Sequence, residues 1–240
     1  MLVEVCANSL ESALVAERAG AHRIELCSEL AVGGLTPSYG LLKAVKKRIS
    51  IPVHVLIRPR SGDFTYTDDE FDIMLEDIRL CVELGFEGVV AGILFKNFSL
   101  DVERTQQLKS ASGDLKFTFH RAFDWVRDSM DVMKKLEELG IDYILSSGQQ
   151  KTALEGMAVL TKLNEGSSRI KIMPGSGVNA GNVHSFLEQG FSAVHLSGTE
   201  MVKTLLEKPV ISMNSIGFLS DDHIATTQLK NIETVVAKVK

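Results

Sequence analysis

The chain predicts an α/β protein built as a single (β/α)8 TIM barrel, and three observations carry that expectation. Eight short runs of β-prone, largely apolar residues recur along the sequence, and each is followed by a segment with helical spacing of its apolar positions. The 240 residues approach the usual length of such a barrel. A doubly wound open sheet would want a glycine fingerprint after its first strand, whereas the turn here is Ala7-Asn8-Ser9.

The elements follow in order. Residues 2–6 alternate as Leu-Val-Glu-Val-Cys and form the first strand; residues 9–19 carry helical apolar spacing; residues 23–27 repeat the strand pattern and again end in cysteine. A helix over 38–48 is introduced by Thr36-Pro37 as N-cap and first-turn proline, and strand 53–58 follows it. The capping box Thr67-x-x-Glu70 starts a helix over 68–84. The alternation then continues as strand 88–92 and helix 100–110, strand 116–120 and helix 129–139, strand 143–146 and helix 152–164, strand 170–173 and helix 182–188, strand 193–196, and a last helix over 225–238. Gly20, Gly85, Gly140 and Gly190 stand where helices end in a left-handed residue. One domain over 1–240 is expected, with residues 205–240 as a C-terminal cover segment and final helix. Within that segment, apolar Ile211, Met213, Ile216, Phe218 and Leu219 are expected to cover a barrel end or meet a partner.

Composition narrows the function classes. With 26 Lys plus Arg against 31 Asp plus Glu, net charge −5 and no long run of one sign, no general attraction to nucleic acid or to an anionic membrane is expected. No apolar stretch is long enough to span a bilayer, and a charged strand begins directly after Met1 without a signal-peptide pattern. Three cysteines without a dense framework point to a reducing compartment, so a cytoplasmic address is expected. Oligomer frequencies among soluble proteins make a homo-oligomer the expectation.

In barrels of this kind, working groups gather at the carboxyl ends of the strands. Period-two alternation puts Glu4 and Cys6 on one face of the first strand and Glu25 and Cys27 on the equivalent face of the second. Further strand ends supply His54, Arg58, Arg60, His120, Arg121, Asp124, Ser146, Ser147, His195 and Ser197. Glu4, Glu25 and His54 lie in otherwise apolar strands and need partners, for which Arg58, Arg121, His120 and His195 are available. One reading is a buried hydrogen-bonded layer that fixes barrel register. The other is a pocket with Glu4, Glu25 and His120 for acid–base work and Arg58 and Arg121 for charge stabilisation.

The turn Pro174-Gly175-Ser176-Gly177, together with Ser197-Gly198, occupies the loops where barrels often bind phosphate, with Arg58 and Arg60 as further anion contacts; Gly-Ser-Gly also makes an ordinary tight turn. Cys81 shares an apolar helix face with Met74, Ile78 and Leu84 and reads as packing. The histidines form no HExxH pattern and no CxxC pair exists, so spacing gives no zinc site.

The runs Glu4-Val-Cys6, Arg23-Ile-Glu-Leu-Cys27, Gly33-Gly-Leu-Thr-Pro-Ser38, Ile57-Arg-Pro-Arg-Ser-Gly-Asp-Phe64, Phe119-His-Arg-Ala-Phe-Asp124, Ile144-Leu-Ser-Ser-Gly148 and Pro174-Gly-Ser-Gly177 resemble those of the CutC family of copper homeostasis proteins. The resemblance runs from the first strand to about Ser197 and leaves the tail after Thr204 unmatched. It implies a cytoplasmic TIM barrel linked with copper tolerance, in which Cys6 and Cys27 are the copper(I) ligands. Soft thiolates on neighbouring strands suit copper(I), and buried free cysteines are equally common as inert core residues. Three functions stay open: a copper(I)-binding homeostasis protein, a barrel enzyme acting on a small phosphorylated or carboxylated metabolite, and an oligomeric scaffold with a vestigial pocket. The expected partner is accordingly a copper ion or a small anionic metabolite.

Overall fold

The structure is a computed structural model that describes residues 1–213 and 220–240. Eight parallel strands form the inner sheet: β1 (Leu2–Ala7), β2 (Arg23–Leu26), β3 (Val53–Leu56), β4 (Gly88–Ala91), β5 (Lys116–Phe119), β6 (Tyr143–Ser146), β7 (Lys171–Pro174) and β8 (Ala193–Leu196). Each strand is hydrogen-bonded to its sequence neighbour from β1 through β7, and β8 pairs with β1. The sheet therefore curls into a barrel, as the sequence predicts. Strands β7 and β8 lie side by side, and among the described residues no ladder joins them.

The outer layer consists of α1 (Leu10–Arg18), α2 (Tyr39–Arg48), α3 (Asp68–Glu83), α4 (Val102–Ala111), α5 (Ser129–Glu138), α6 (Met157–Gly166), α7 (Val183–Glu188) and α8 (Leu229–Lys238). Their apolar stripes meet the outward side chains of the strands. On α3, Phe71, Met74, Ile78 and Cys81 recur at three- and four-residue spacing and are all buried, so Cys81 packs as expected. Each fully buried Phe, Leu or Ile of this layer contributes about 1.5–3 kcal/mol. The capping box at Thr67 and Glu70 is formed in both directions. No helix of the described residues is long and apolar enough to cross a membrane.

The inner face of the barrel is different in kind. Glu4, Arg23, Glu25, His54, Thr118 and His120 are all buried there beside Leu56, Val90, Leu145 and Met173. Two glycines, one opening strand β4 and one just after it, make room for two imidazole rings. A Cβ at Gly88 would come within 2.5 Å of the His54 ring, and one at Gly92 within 2.6 Å of the His120 ring. Gly88→Ala should therefore cost on the order of 2 kcal/mol by overpacking. In a His54→Ala background the same change should cost under about 0.5 kcal/mol, because the two positions are in contact and the obstacle is gone. Chemical unfolding of the four proteins of that cycle measures the difference; equal costs in both backgrounds would refute the clash.

Three local expectations are corrected. Thr36 does not cap α2: Ser38 does, accepting from Leu41 N, while Thr36 Oγ1 accepts from Arg58 N at 2.9 Å. Helix α6 begins at Met157 and not at 152, because Ala153 N is drawn into a 2.9 Å bond with Ser176 O of the loop after β7. The last helix begins at Leu229 and not at 225, because His223–Thr227 form a strand, β10, paired antiparallel with β9 (Thr199–Lys203). This hairpin is seated on the start of α1 through Asn8 Nδ2 to Ala225 O, 3.3 Å, and Thr227 N to Ser12 Oγ, 3.3 Å. Of the apolar residues expected to form a cover, Ile211 and Met213 are exposed, and Ile216, Phe218 and Leu219 lie outside the described residues.

Candidate functional site

The register of the first strands builds the centre of the site. Glu4 stands opposite Arg23 on β2 and His195 on β8. Its carboxylate accepts from Arg23 Nε at 2.5 Å and from His195 Nδ1 at 2.8 Å, so the partners of this buried acid are Arg23 and His195. Burial alone would raise the Glu4 pKa; the Arg23 charge and the His195 hydrogen bond outweigh it and hold the carboxyl at about 2. The Arg23 guanidinium lies 4.3 Å over the Tyr143 ring and reaches Met173 Sδ at 3.5 Å, which fixes it at the barrel axis.

One layer nearer the mouth lie Glu25, Cys6 and Cys27. Barrel stagger places Cys6 opposite Glu25 rather than opposite Cys27, yet the two sulfurs still meet at 3.5 Å. Cys6 Sγ is 3.9 Å from Glu25 Oε1, and His195 Nδ1 is 3.7 Å from Glu25 Oε2. Cys6, Glu25 and His195 offer donor atoms within 4.8 Å of one another, the arrangement of a potential metal site. Burial pushes the Glu25 carboxyl up to about 7, with the Glu4 charge acting in the same sense against His195 and Arg23. The His195 pKa is raised, burial being outweighed by Glu25 and Glu4. The Cys6 thiol is raised well above its ordinary value by its hydrogen bond with Cys27 and by burial. All three cysteines are free.

Above this layer opens a cavity of about 630 Å³ at the carboxyl ends of the strands. Cys6, Glu25, Arg58, His120, Arg121, Ser176, Gly177, His195 and Ser197 line it, so nine of the residues singled out from the sequence converge there. Arg58 is committed to loops: its two terminal nitrogens donate to the carbonyls of Val32, Gly34 and Gly62 at 2.7–2.9 Å. Arg60 lies outside the cavity lining, bonded to Glu70 at 2.5 Å and Asp63 at 3.2 Å. Gly175 and Gly198 are backbone joints outside the lining, the first donating to Ser146 O and the second accepting from Gln228 N. Cys27 sits beneath the lining, fully buried.

Two residues owe their positions to short-range structure after β5, where a single 3-10 helix spans Arg121–Trp125. His120 caps it: Nδ1 accepts from Ala122 N at 3.1 Å, which makes the ring neutral with its hydrogen on Nε2. Burial, with the Arg58 charge adding to it, lowers the His120 pKa to about 3. Asp124 accepts from Arg121 Nε at 2.8 Å, from Ser146 Oγ at 2.6 Å and from both donors of Ser147, so Arg121 is held in one orientation beside the cavity. Arg23, absent from the sequence-derived site, is the residue on which the inner layer turns. Its parity with Glu25 and Cys27 along β2 was the available signal. Phe64 and Trp125, 4.8 Å apart between ring centres, add an aromatic wall.

Comparison with known proteins agrees with this fold. The CutC family model matches residues 1–200. A CutC family protein from Salmonella typhimurium is 47% identical over 196 residues, covering 82% of this chain and 79% of that protein. The crystal structure of a protein from Streptococcus agalactiae described as the copper homeostasis protein CutC superposes with TM-score 0.78 at 39% identity, covering 81% of this chain and 97% of that one. Thiamine phosphate pyrophosphorylase from Pyrococcus furiosus, at 15% identity and TM-score 0.58 over 99% of this chain and 94% of its own, shares the fold alone. On the family match and the identity to its relatives, this chain belongs to the CutC family.

Proposed function

We propose that this protein is a copper homeostasis protein whose Cys6 and Cys27 hold a copper(I) ion at the mouth of the barrel. The observation that carries this reading is the 3.5 Å approach of the two sulfurs. Thiolates are the soft donors that select copper(I), and a low-coordinate ion needs only two of them. Cys6 lines the cavity and gives the ion a path from solvent, while Cys27 closes the site from below. The ion would replace the thiol protons, because only the deprotonated sulfur is a ligand. Glu25 and His195 stand beside Cys6 and could complete the coordination. The name carried by the Streptococcus agalactiae relative points the same way. Free, unpaired thiols this close to one another are also consistent with work in the reducing cytoplasm.

The test is competition for copper(I) between the reduced protein and a chromogenic copper(I) chelator. One tight site per chain is expected, weakened more than about 100-fold in Cys6→Ser/Cys27→Ser, beyond the loss typical of outer-shell changes. Cys81→Ser, remote on α3, should leave it unchanged. Equal stoichiometry and affinity in the double variant and the parent would end the proposal.

A further inference from the structure

The cavity is far larger than one ion requires and has the size of a small-molecule pocket, typically about 300–1,000 Å³. Its walls hold polar atoms that neither the fold nor the thiol pair uses. Among the described residues, buried side-chain atoms without a hydrogen-bond partner include Glu25 Oε2, Arg58 Nε and His120 Nε2, all three on residues lining this cavity. Buried polar groups are normally satisfied, so such a cluster calls for an occupant.

One side of the cavity is suited to an anion. Ser176, Gly177 and Val178 line it in succession after β7, and among the described residues their backbone N–H groups donate to no protein acceptor. Ser176 and Gly177 both have positive φ, 80° and 74°, so the chain turns sharply where it lines the cavity. Ser197, on the neighbouring loop after β8, likewise has an N–H with no protein acceptor. Arg121 lines the same cavity with its fork steadied by Asp124 and Ser147, a group suited to phosphate oxygens. The Ser176 hydroxyl is not free to help, since it donates to Lys151 O at 2.8 Å and so stiffens the loop.

We infer that this cavity binds a small phosphate monoester, its phosphate on the amides of Ser176, Gly177 and Val178 with Arg121, and its oxygen-bearing body against His120 Nε2 and Glu25. A neutral imidazole with its Nε2 hydrogen unpartnered donates to a hydroxyl or carbonyl oxygen, and the Glu25 carboxyl accepts from a hydroxyl. Phe64 and Trp125 cover the carbon skeleton. The phosphate-binding amides and Arg121 are separate from the sulfurs, while Glu25 borders both sites, so titrating the metal-free protein separates the phosphate subsite from copper binding.

The experiment is calorimetric titration of the metal-free, reduced full-length protein with inorganic phosphate, glycerol 3-phosphate, glycerol and acetate. Saturable phosphate binding at millimolar or better affinity is expected, with glycerol 3-phosphate at least about 10-fold tighter and glycerol silent. Ser176→Glu sets a carboxylate against the anion and should weaken glycerol 3-phosphate at least about 30-fold, as expected where like charges meet. It should keep the parent's copper(I) stoichiometry. Cys6→Ser/Cys27→Ser should keep glycerol 3-phosphate affinity within about 3-fold, as independent sites do. Should Ser176→Glu fail to fold, Arg121→Gln probes the same site through a weaker loss of about 5- to 10-fold. Absence of saturable phosphate binding, acetate competing as well as phosphate, or undiminished binding in both Ser176→Glu and Arg121→Gln would overturn the inference. Loss of the phosphate site with the thiols would also overturn it, whatever the copper result.

Discussion

Replacing Glu4 by alanine is expected to destabilise the folded protein by about 3–5 kcal/mol, the range seen when one partner of a buried ion pair is removed. Glu4 is fully buried and Arg23 nearly so, with relative exposures of 0% and 3%. Without the carboxylate, the Arg23 guanidinium loses its closest opposite charge and is left with Met173 Sδ and Tyr143 beside it, and His195 loses the acceptor of its Nδ1 hydrogen. Glu4→Gln should cost nearly as much, because it preserves shape but removes the charge. Glu4→Leu/Arg23→Met should recover most of the loss, since exchanging a whole buried pair for apolar groups of similar volume is often neutral. Urea unfolding of the parent and the three variants decides it. A loss below about 1 kcal/mol for Glu4→Ala would mean that the pair has the worth of a surface salt bridge.

The second large effect concerns acid. His54 is buried, and burial with the nearby Arg23 charge lowers its pKa to about 3, against an ordinary value of 6.5. The unfolded chain therefore takes up a proton at His54 between those two values while the folded chain does not. The sign follows: stability is complete above about pH 6.5, falls as the pH drops toward about 3, and levels off below that. The slope is about 1.4 kcal/mol per pH unit for one such group. Glu25 acts oppositely, because its raised pKa lets the folded state bind a proton first, so the whole-protein profile is a sum of opposing effects. The clean measurement is a difference. Relative to His54→Phe, the parent should lose roughly 2–3 kcal/mol between about pH 6 and pH 4. A pH-independent difference would show that His54 is not held neutral.

The barrel was legible because eight strand-helix units leave a periodic trace, and the helix stops at Gly20, Gly85, Gly140 and Gly190 all have the positive φ assumed for them. Which side chains share the inner face was also legible, since parity along a strand needs no knowledge of its neighbours. Depth was not. Stagger between strands is set by closure of the whole ring, and it shifts Cys6 to face Glu25. Arg58 and Arg60 show a second limit: a guanidinium is visible in sequence, but whether its fork meets a ligand or three carbonyls depends on loops that fold back from a distance. The hairpin of β9 and β10 shows a third. Its pairing is non-local, and Ala225–Thr227 taken alone continue smoothly into the amphipathic pattern of α8.

Among the described residues, the edge between β7 and β8 is the seam of the barrel wall that carries no ladder, although the two strands lie side by side. Elsewhere around the ring every neighbouring pair of strands is joined by a ladder, whereas β7 and β8 are held to each other by packing alone. The loops that begin at the seam's upper end carry Ser176 and Gly177 on one side and Ser197 on the other. A guest that touched both loops would bridge two strands that no ladder joins, and so tie that seam of the wall together.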